Sequence, residues 1–261
     1  VVYGVYNHYL ETKDEKFIKD NLKMCEKAVH FLERYIEDIL EGTGKFGKSY
    51  DLWEECEDIH TYSLAAIFSA FEAILKMYEI VKPQYEENRL KLEQIAKANR
   101  RLELKMRQIK EYILQNLYDN TKKSFKRNTK DNRMDISLLG LVYPFKVFTP
   151  TEKKIQHTVE HINLTLRTYT GGYLRYEGDN YMNGNPWIIS NMWLANYYLD
   201  KGEKKEAQKC FDFAIKTATK HGFLGEQVNN QTMSPAWVIG LGWSHAMFVI
   251  TMQRLFGEVA Q

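Results

Sequence analysis

The stretch Thr61–Val81, TYSLAAIFSAFEAILKMYEIV, followed closely by Leu92–Tyr118, LEQIAKANRRLELKMRQIKEYILQNLY, decides the fold. The first is apolar or small on nearly every side, so as a helix it must be surrounded by protein. The second sets Ile95, Ala98, Leu102, Ile109, Ile113 and Leu117 at helical spacing with charges between them. That pattern gives a helix one face on a core and the other in water. An enclosed helix beside an outer one predicts two layers.

The same alternation runs outward in both directions. Val1–Leu10, Met134–Val142, Pro186–Leu199 and Ile239–Phe256 read as enclosed helices, and Glu15–Leu40, Thr151–Leu166 and Lys204–Lys220 as amphipathic ones. Links from enclosed to amphipathic helices are relatively short (Glu11–Asp14 and Lys201–Glu203, with longer ones near Pro83 and Pro144). The returns are long Gly- or Asn-bearing loops at 42–58, 119–132, 168–184 and 221–238. Helices that alternate up and down bring all four long loops to one end. This is the layout of an all-α (α/α)6 toroid, with function on the long-loop face. Nine helices are predicted where six pairs are needed. The chain opens on Val1 inside an apolar run, so the expectation is one domain over residues 1–261 whose first helices precede Val1.

Composition narrows the function. A chain of 261 residues, 44% hydrophobic and 27% charged, can bury a sizeable core. The net charge of +2 offers nothing to a polyanionic partner, and the basic runs Arg100–Lys110 and Lys122–Lys130 read as solvated faces, which argues against nucleic-acid binding. No apolar run reaches the ~18 residues of a membrane span. Cys25, Cys56 and Cys210 are widely spaced, as free thiols in a reducing compartment would be. With no signal-peptide pattern, the expected location is the cytoplasm.

Three of the long loops combine acids, aromatics and glycines: GTGKFGKSYDLWEECED at Gly42–Asp58, GGYLRYEGDNYMNGNPW at Gly171–Trp187, and HGFLGEQVNNQTMSPAW at His221–Trp237. Aromatic faces stack on sugar faces, while carboxylates, amides and guanidinium groups bond hydroxyls. Two carboxyl groups on separate loops are what glycoside hydrolysis needs. By pattern alone, a lyase, an epimerase or a binding scaffold would also fit.

Motifs within these loops resemble a family. YDLWEE at Tyr50–Glu55, with HTYSLAA following, is similar to the general-acid segment of the glucoamylase-type glycoside hydrolases, family fifteen. RYEGDNYMNGNPW at Arg175–Trp187 resembles that family's substrate loop. EQV at Glu226–Val228 and GWSHA at Gly242–Ala246 resemble its general-base segment and closing helix. The resemblance covers essentially the whole chain and corresponds to the later three-quarters of the (α/α)6 catalytic domain.

It implies an inverting, exo-acting enzyme that releases glucose from the non-reducing ends of α-glucans, without metal or cofactor. Trehalose or dextran-type linkages are the alternative substrates, and a non-catalytic helical scaffold is the alternative outside enzymes. By the resemblance Glu54 is the general acid, Glu226 the general base, Glu55 a substrate-holding carboxylate and Asp51 a supporting acid. Tyr50, Arg175 and Asp179 join the substrate contacts, and Trp53, Trp187 and Trp243 form aromatic walls. Crowding by Asp51 and Glu55 should keep Glu54 protonated. Glu226 should be ionised in a more polar setting. Inversion requires roughly 6.5–9.5 Å between the two carboxyls to admit a water. Two departures stand out: Gly225 replaces a common Pro, and Ile239–Gly242 replaces the usual approach to WSHA.

Other residues have plainer readings. Glu57 and Asp58 read as acids at a helix N-terminus, Trp193 and Tyr197 as core, and His60 and His245 equally as structural or substrate-contacting. HTVEH at His157–His161 fits a zinc-protease signature. The apolar stripe Ile155, Val159, Ile162, Leu166 puts both histidines on the solvated face, however, where a catalytic zinc is not expected. A ring short of helices should leave apolar faces at Val1–Leu10 and Ile239–Phe256 uncovered and prone to self-association.

Overall fold

In the computed structural model, which describes residues 1–257, the chain divides into two compact units, Val1–Leu117 and Tyr118 onward. The first holds four helices: α1 (Val2–Thr12), α2 (Glu15–Glu41), α3 (Thr61–Val81) and α4 (Arg89–Asn116). Helix α3 packs against the other three. It buries twelve of its residues, among them Leu64, Phe71, Ile74 and Met77. Helix α4 buries only Ile95, Leu102, Ile109 and Ile113, all members of the predicted stripe. Local chemistry sets the ends. Asp14 caps α2 by accepting from Phe17 N at 2.9 Å, and Asn88 caps α4 by accepting from Lys91 N at 3.0 Å. Between α2 and α3 lies a short hairpin, β1 (Ser49–Tyr50) with β2 (Glu57–Asp58).

The second unit begins with the hairpin β3 (Tyr118–Asp119) and β4 (Ser124–Phe125), which packs on α5 (Lys153–Thr165). It continues through α6 (Ile188–Asp200) and α7 (Lys204–Thr217) to the hairpin β5 (Gly225–Val228) and β6 (Pro235–Ile239), and then α8 (Gly242–Phe256). Helix α6 is the hub: ten consecutive residues, Ile188–Tyr197, are buried, and it touches α7, α8 and β5. Trp193 and Tyr197 are core, as expected. Asn196, fully buried, donates to Met192 O at 2.7 Å and Thr251 Oγ1 at 2.8 Å, and accepts from Arg254 Nη1 at 2.7 Å, tying α6 to α8.

Four expectations are corrected. Helix α1 is not enclosed, since only Val2 and Val5 are buried along Val2–Thr12. Met134–Val142 is not an α-helix; its core is a six-residue 3-10 turn, Ile136–Leu141, with every residue buried. The segment is short and is stopped by Pro144, so its apolar run reflects burial rather than helical periodicity. The last helix starts at Gly242, because Pro235–Ile239 pairs as β6. Helix α8 is also not enclosed: only Ser244, Thr251 and Leu255 are buried, since within its unit it packs mainly on α6 and α7, with a smaller contact to β5. Its uncovered flank carries Val249, Ile250, Met252 and Phe256, in line with the uncovered apolar face expected there. No helix among the described residues is long and apolar enough to cross a membrane.

Candidate active site

In the first unit, the WEE motif sits at the tip of the β1–β2 hairpin. Asp51 is buried, and its carboxylate accepts from Glu55 N at 2.8 Å and Cys56 N at 3.4 Å. Asp58 is buried too and is ion-paired to Lys48, while His60 Nε2 lies 3.1 Å from Asp58 N, Ser49 O and Cys56 O. Two of the five acids and the histidine are therefore spent on holding the turn, so His60 is structural and Asp58 does more than face a helix end. Glu54, Glu55 and Glu57 point to solvent, and Trp53 is half-buried. Glu54 has φ 59°, left-handed backbone. For a residue with a Cβ this conformation costs about 1–2 kcal/mol and is characteristic of functional turns. Tyr50 is exposed and borders a groove of about 500 Å³ lined by Phe31, Tyr35 and Phe46.

The approach to this hairpin is organised by Asp38. Its carboxylate accepts from the Thr43 hydroxyl, from Lys45 N at 2.7 Å and from Phe46 N at 3.0 Å. These bonds, the Thr43 hydroxyl foremost, hold the Asp38 carboxyl below its ordinary pKa. The glycines of GTGKFG let the chain fold around it, with Gly42, Gly44 and Gly47 at φ 68–69°.

In the second unit, Arg175 and Asp179 are both buried and form a bidentate pair at 2.8 and 2.9 Å. Three rings surround the guanidinium, with centroids at 5.1 Å for Tyr176, 5.0 Å for Tyr181 and 4.7 Å for Trp187. A desolvated cation gains from such faces. Trp187 pairs through its backbone with Tyr173 on one side and Gln227 on the other, bringing the substrate loop against β5.

Glu226 lies on β5 where the ladder is irregular. Gly225 faces Ile239 and Gln227 faces Ala236, so Trp237 and Val238 together oppose Glu226. Bulges of this kind re-aim a side chain. Gly225 has a reason of its own here, since a Cβ would lie 2.6 Å from Gln227 O. Glu226 is half-buried, and its Oε2 is buried with no hydrogen-bond partner among the described residues. Burial pushes its carboxyl pKa up, and the charge of Arg175 offsets part of that rise. The expected polar setting is corrected: the sequence around Glu226 is polar, yet the folded strand buries one of its two carboxyl oxygens.

Trp243 opens α8, 37% exposed, its ring 5.8 Å from Trp193 and edge-on to it. His245 donates from Nδ1 to Leu241 O at 2.8 Å and accepts at Nε2 from Leu224 N at 3.2 Å, which makes it structural. Two rings near Arg175 went unassigned in the sequence. Tyr181 and Trp237 are exposed and meet edge to face at 6.3 Å. Both lie in the loops quoted above, and their place among the acids of those loops was the available signal. On α5 the buried stripe is Ile155, Val159 and Ile162, with His157 and His161 half-exposed.

The helices and the acid-, arginine- and aromatic-bearing loops described in each unit place the chain in the class of helical proteins that carry their chemistry on loops. Comparison with known proteins makes this specific. The pattern of the glycosyl hydrolases family 15 matches residues 9–212, and the chain belongs to that family. An uncharacterised glycosyl hydrolase of Methanocaldococcus jannaschii is 27% identical over 265 residues, covering 96% of this chain and 40% of that protein. A protein named trehalase 1 from Sulfolobus acidocaldarius is 21% identical, covering 98% and 40%. The chain thus spans about two fifths of the length of the curated relatives it matches. Among solved structures, a glycosidase aligns with TM-score 0.67 at 20% identity, over 80% of this chain and 55% of that one. The family 15 glucoamylase of Hypocrea jecorina aligns with TM-score 0.63 at 16% identity, over 80% and 44%. The fold class is all-α, of the (α/α)6 toroid type.

Proposed function

We propose that this chain is the later part of a single catalytic domain in an inverting, exo-acting glycosidase that releases glucose from the non-reducing ends of α-glucans. The observation that carries the reading is Glu226: a carboxyl with one buried, unpartnered oxygen, set beside Arg175. A group in that state accepts a proton from a water readily. Glu54 serves as the acid that protonates the leaving oxygen, while Glu226 takes a proton from the water that attacks the anomeric carbon from the opposite face. Arg175, Asp179, Glu55 and Tyr50 order the terminal sugar, with Asp51 supporting them from the turn it holds and Trp53, Trp187 and Trp243 as walls.

A second reading within the enzyme class has its own support: two relatives from Sulfolobus acidocaldarius carry the name trehalase. The intact enzyme, assayed on maltose-type, dextran-type and trehalose substrates, separates them. Glu54→Gln and Glu226→Gln should each lower kcat by about 10²–10⁴ on the true substrate. On an α-glucan, proton NMR of the first glucose released should show the β-anomer, whereas inverting hydrolysis of trehalose should give α- and β-glucose in equal amounts. Wild-type rates in both variants would point to a non-catalytic or differently assigned site, and release of the α-anomer alone would exclude inversion.

A further inference from the structure

The substrate loop and the strand bearing Glu226 are joined by one buried side chain. We propose that Asn185 is a positioning residue for the reaction, stapling the sugar-facing loop to β5 so that Glu226 holds its line. The inference rests on the general-base reading of Glu226.

Asn185 is buried, and its amide is fully used across two loops. Nδ2 donates to Met182 O at 2.9 Å and to Gln227 Oε1 at 3.3 Å, and Oδ1 accepts from Asn230 N at 3.3 Å. Around it the loops are laced further. Val228 N donates to Pro186 O at 2.9 Å, and Asn230 Nδ2 donates to Gly184 O at 3.1 Å. Gln227, fully buried and adjacent to Glu226, has no partner for Nε2, so its bond from Asn185 is the only side-chain hydrogen bond it makes among the described residues.

The segment held in this way would not hold itself. Met182, Asn183 and Gly184 are all left-handed, at φ 49°, 72° and 67°. Such a run persists only where its surroundings over-determine it. Tyr181, immediately before it, faces the Arg175 guanidinium at 5.0 Å. Asn185 therefore fixes two things at once: the turn that sets Tyr181 over Arg175, and the register of the strand from which Glu226 projects. A small misplacement of a reacting group can cost up to a hundredfold in rate.

The test uses the intact enzyme with Asn185→Ala and Asn185→Asp. The aspartate keeps the size and the acceptor for Asn230 N but loses both donated bonds. We expect kcat to fall about tenfold or more in both variants with KM within about twofold, as expected when transition-state geometry is lost and binding is not. We also expect faster amide hydrogen exchange at residues 228–230 in both variants, and in Asn185→Ala an acidic limb of kcat/KM moved to lower pH as water reaches Glu226; the carboxylate of Asn185→Asp opposes that shift. A variant that only melts earlier, with unchanged kcat, acidic limb and exchange at a temperature where it is folded, would overturn the proposal; so would an aspartate variant indistinguishable from wild type. Glu226→Gln is run alongside. If it is active, the general-base reading fails and the positioning role falls with it. If it is inactive while both Asn185 variants behave as wild type, the failure belongs to Asn185 alone.

Discussion

Two carboxyls show how the surroundings of a single residue decide its role. Asp38 is surrounded by donors and held in its charged form, so its contribution to folding is present above its unfolded pKa and is lost as pH falls through the lower folded value. Glu226 is the reverse. Burial raises its pKa on folding, so the folded state holds the proton more tightly than the unfolded chain, and stability falls as pH rises through that window. At neutral pH Glu226→Gln should therefore raise Tm while abolishing turnover, a divergence that a thermal scan and an activity assay on one preparation can check. Arg175 opposes the rise. Arg175→Met should push the acidic limb of kcat/KM to higher pH, on top of any loss of substrate binding. A limb that moves the other way would show that Arg175 does not act on the base.

At the scale of elements, small residues and buried amides set the joints. Gly184 has φ 67°, and a Cβ there would lie 2.7 Å from Asp179 O, the backbone of the residue paired to Arg175. Gly184→Ala should disturb the substrate loop doubly, by strained backbone and by collision, and raise KM more than it lowers Tm. Gly225→Ala collides with Gln227 O at 2.6 Å and should displace the Glu226 bulge, lowering kcat. The α6–α8 joint is a matter of stability alone. Asn196→Ala removes three hydrogen bonds in a fully buried setting and should cost about 1–3 kcal/mol, measurable by denaturant titration.

Across the described residues, one run of exposed apolar side chains lies toward the chain's C-terminal side. Trp237 at 54%, Ile239 at 55% and Phe256 at 56% exposure join the flank of α8. Apolar area left in water forgoes about 25 cal/mol per Å². The 261-residue chain on its own should self-associate and hydrolyse glucans poorly, which light scattering and glucose release can measure. A fully active, monodisperse monomer would contradict it. The matched family pattern ends at residue 212, before Glu226, so the proposed base lies outside the segment that establishes membership. Its role rests on the EQV and GWSHA motifs and on the geometry around it.

The sequence by itself marked α3 and α6 as enclosed and α4 as amphipathic, because helical periodicity is a local property. The buried set of α3 and the stripe of α4 follow from residues three and four apart, and no distant contact is needed to read them. It also determined which loops bear acids and aromatics, and the family. It could not tell the 3-10 turn at Ile136–Leu141 from a helix, since a short buried run carries no period. Only the tertiary structure decided what each polar group meets. Asp51 and His60 turned inward to the hairpin, Arg175 paired with Asp179 among rings, Asn185 reached Gln227 across two loops, and Glu226 buried one carboxyl oxygen. Hydrogen-bond partners and pKa values depend on neighbours in space. For Asn185 and Gln227 those neighbours are 42 residues apart in the chain, and only folding brings them together.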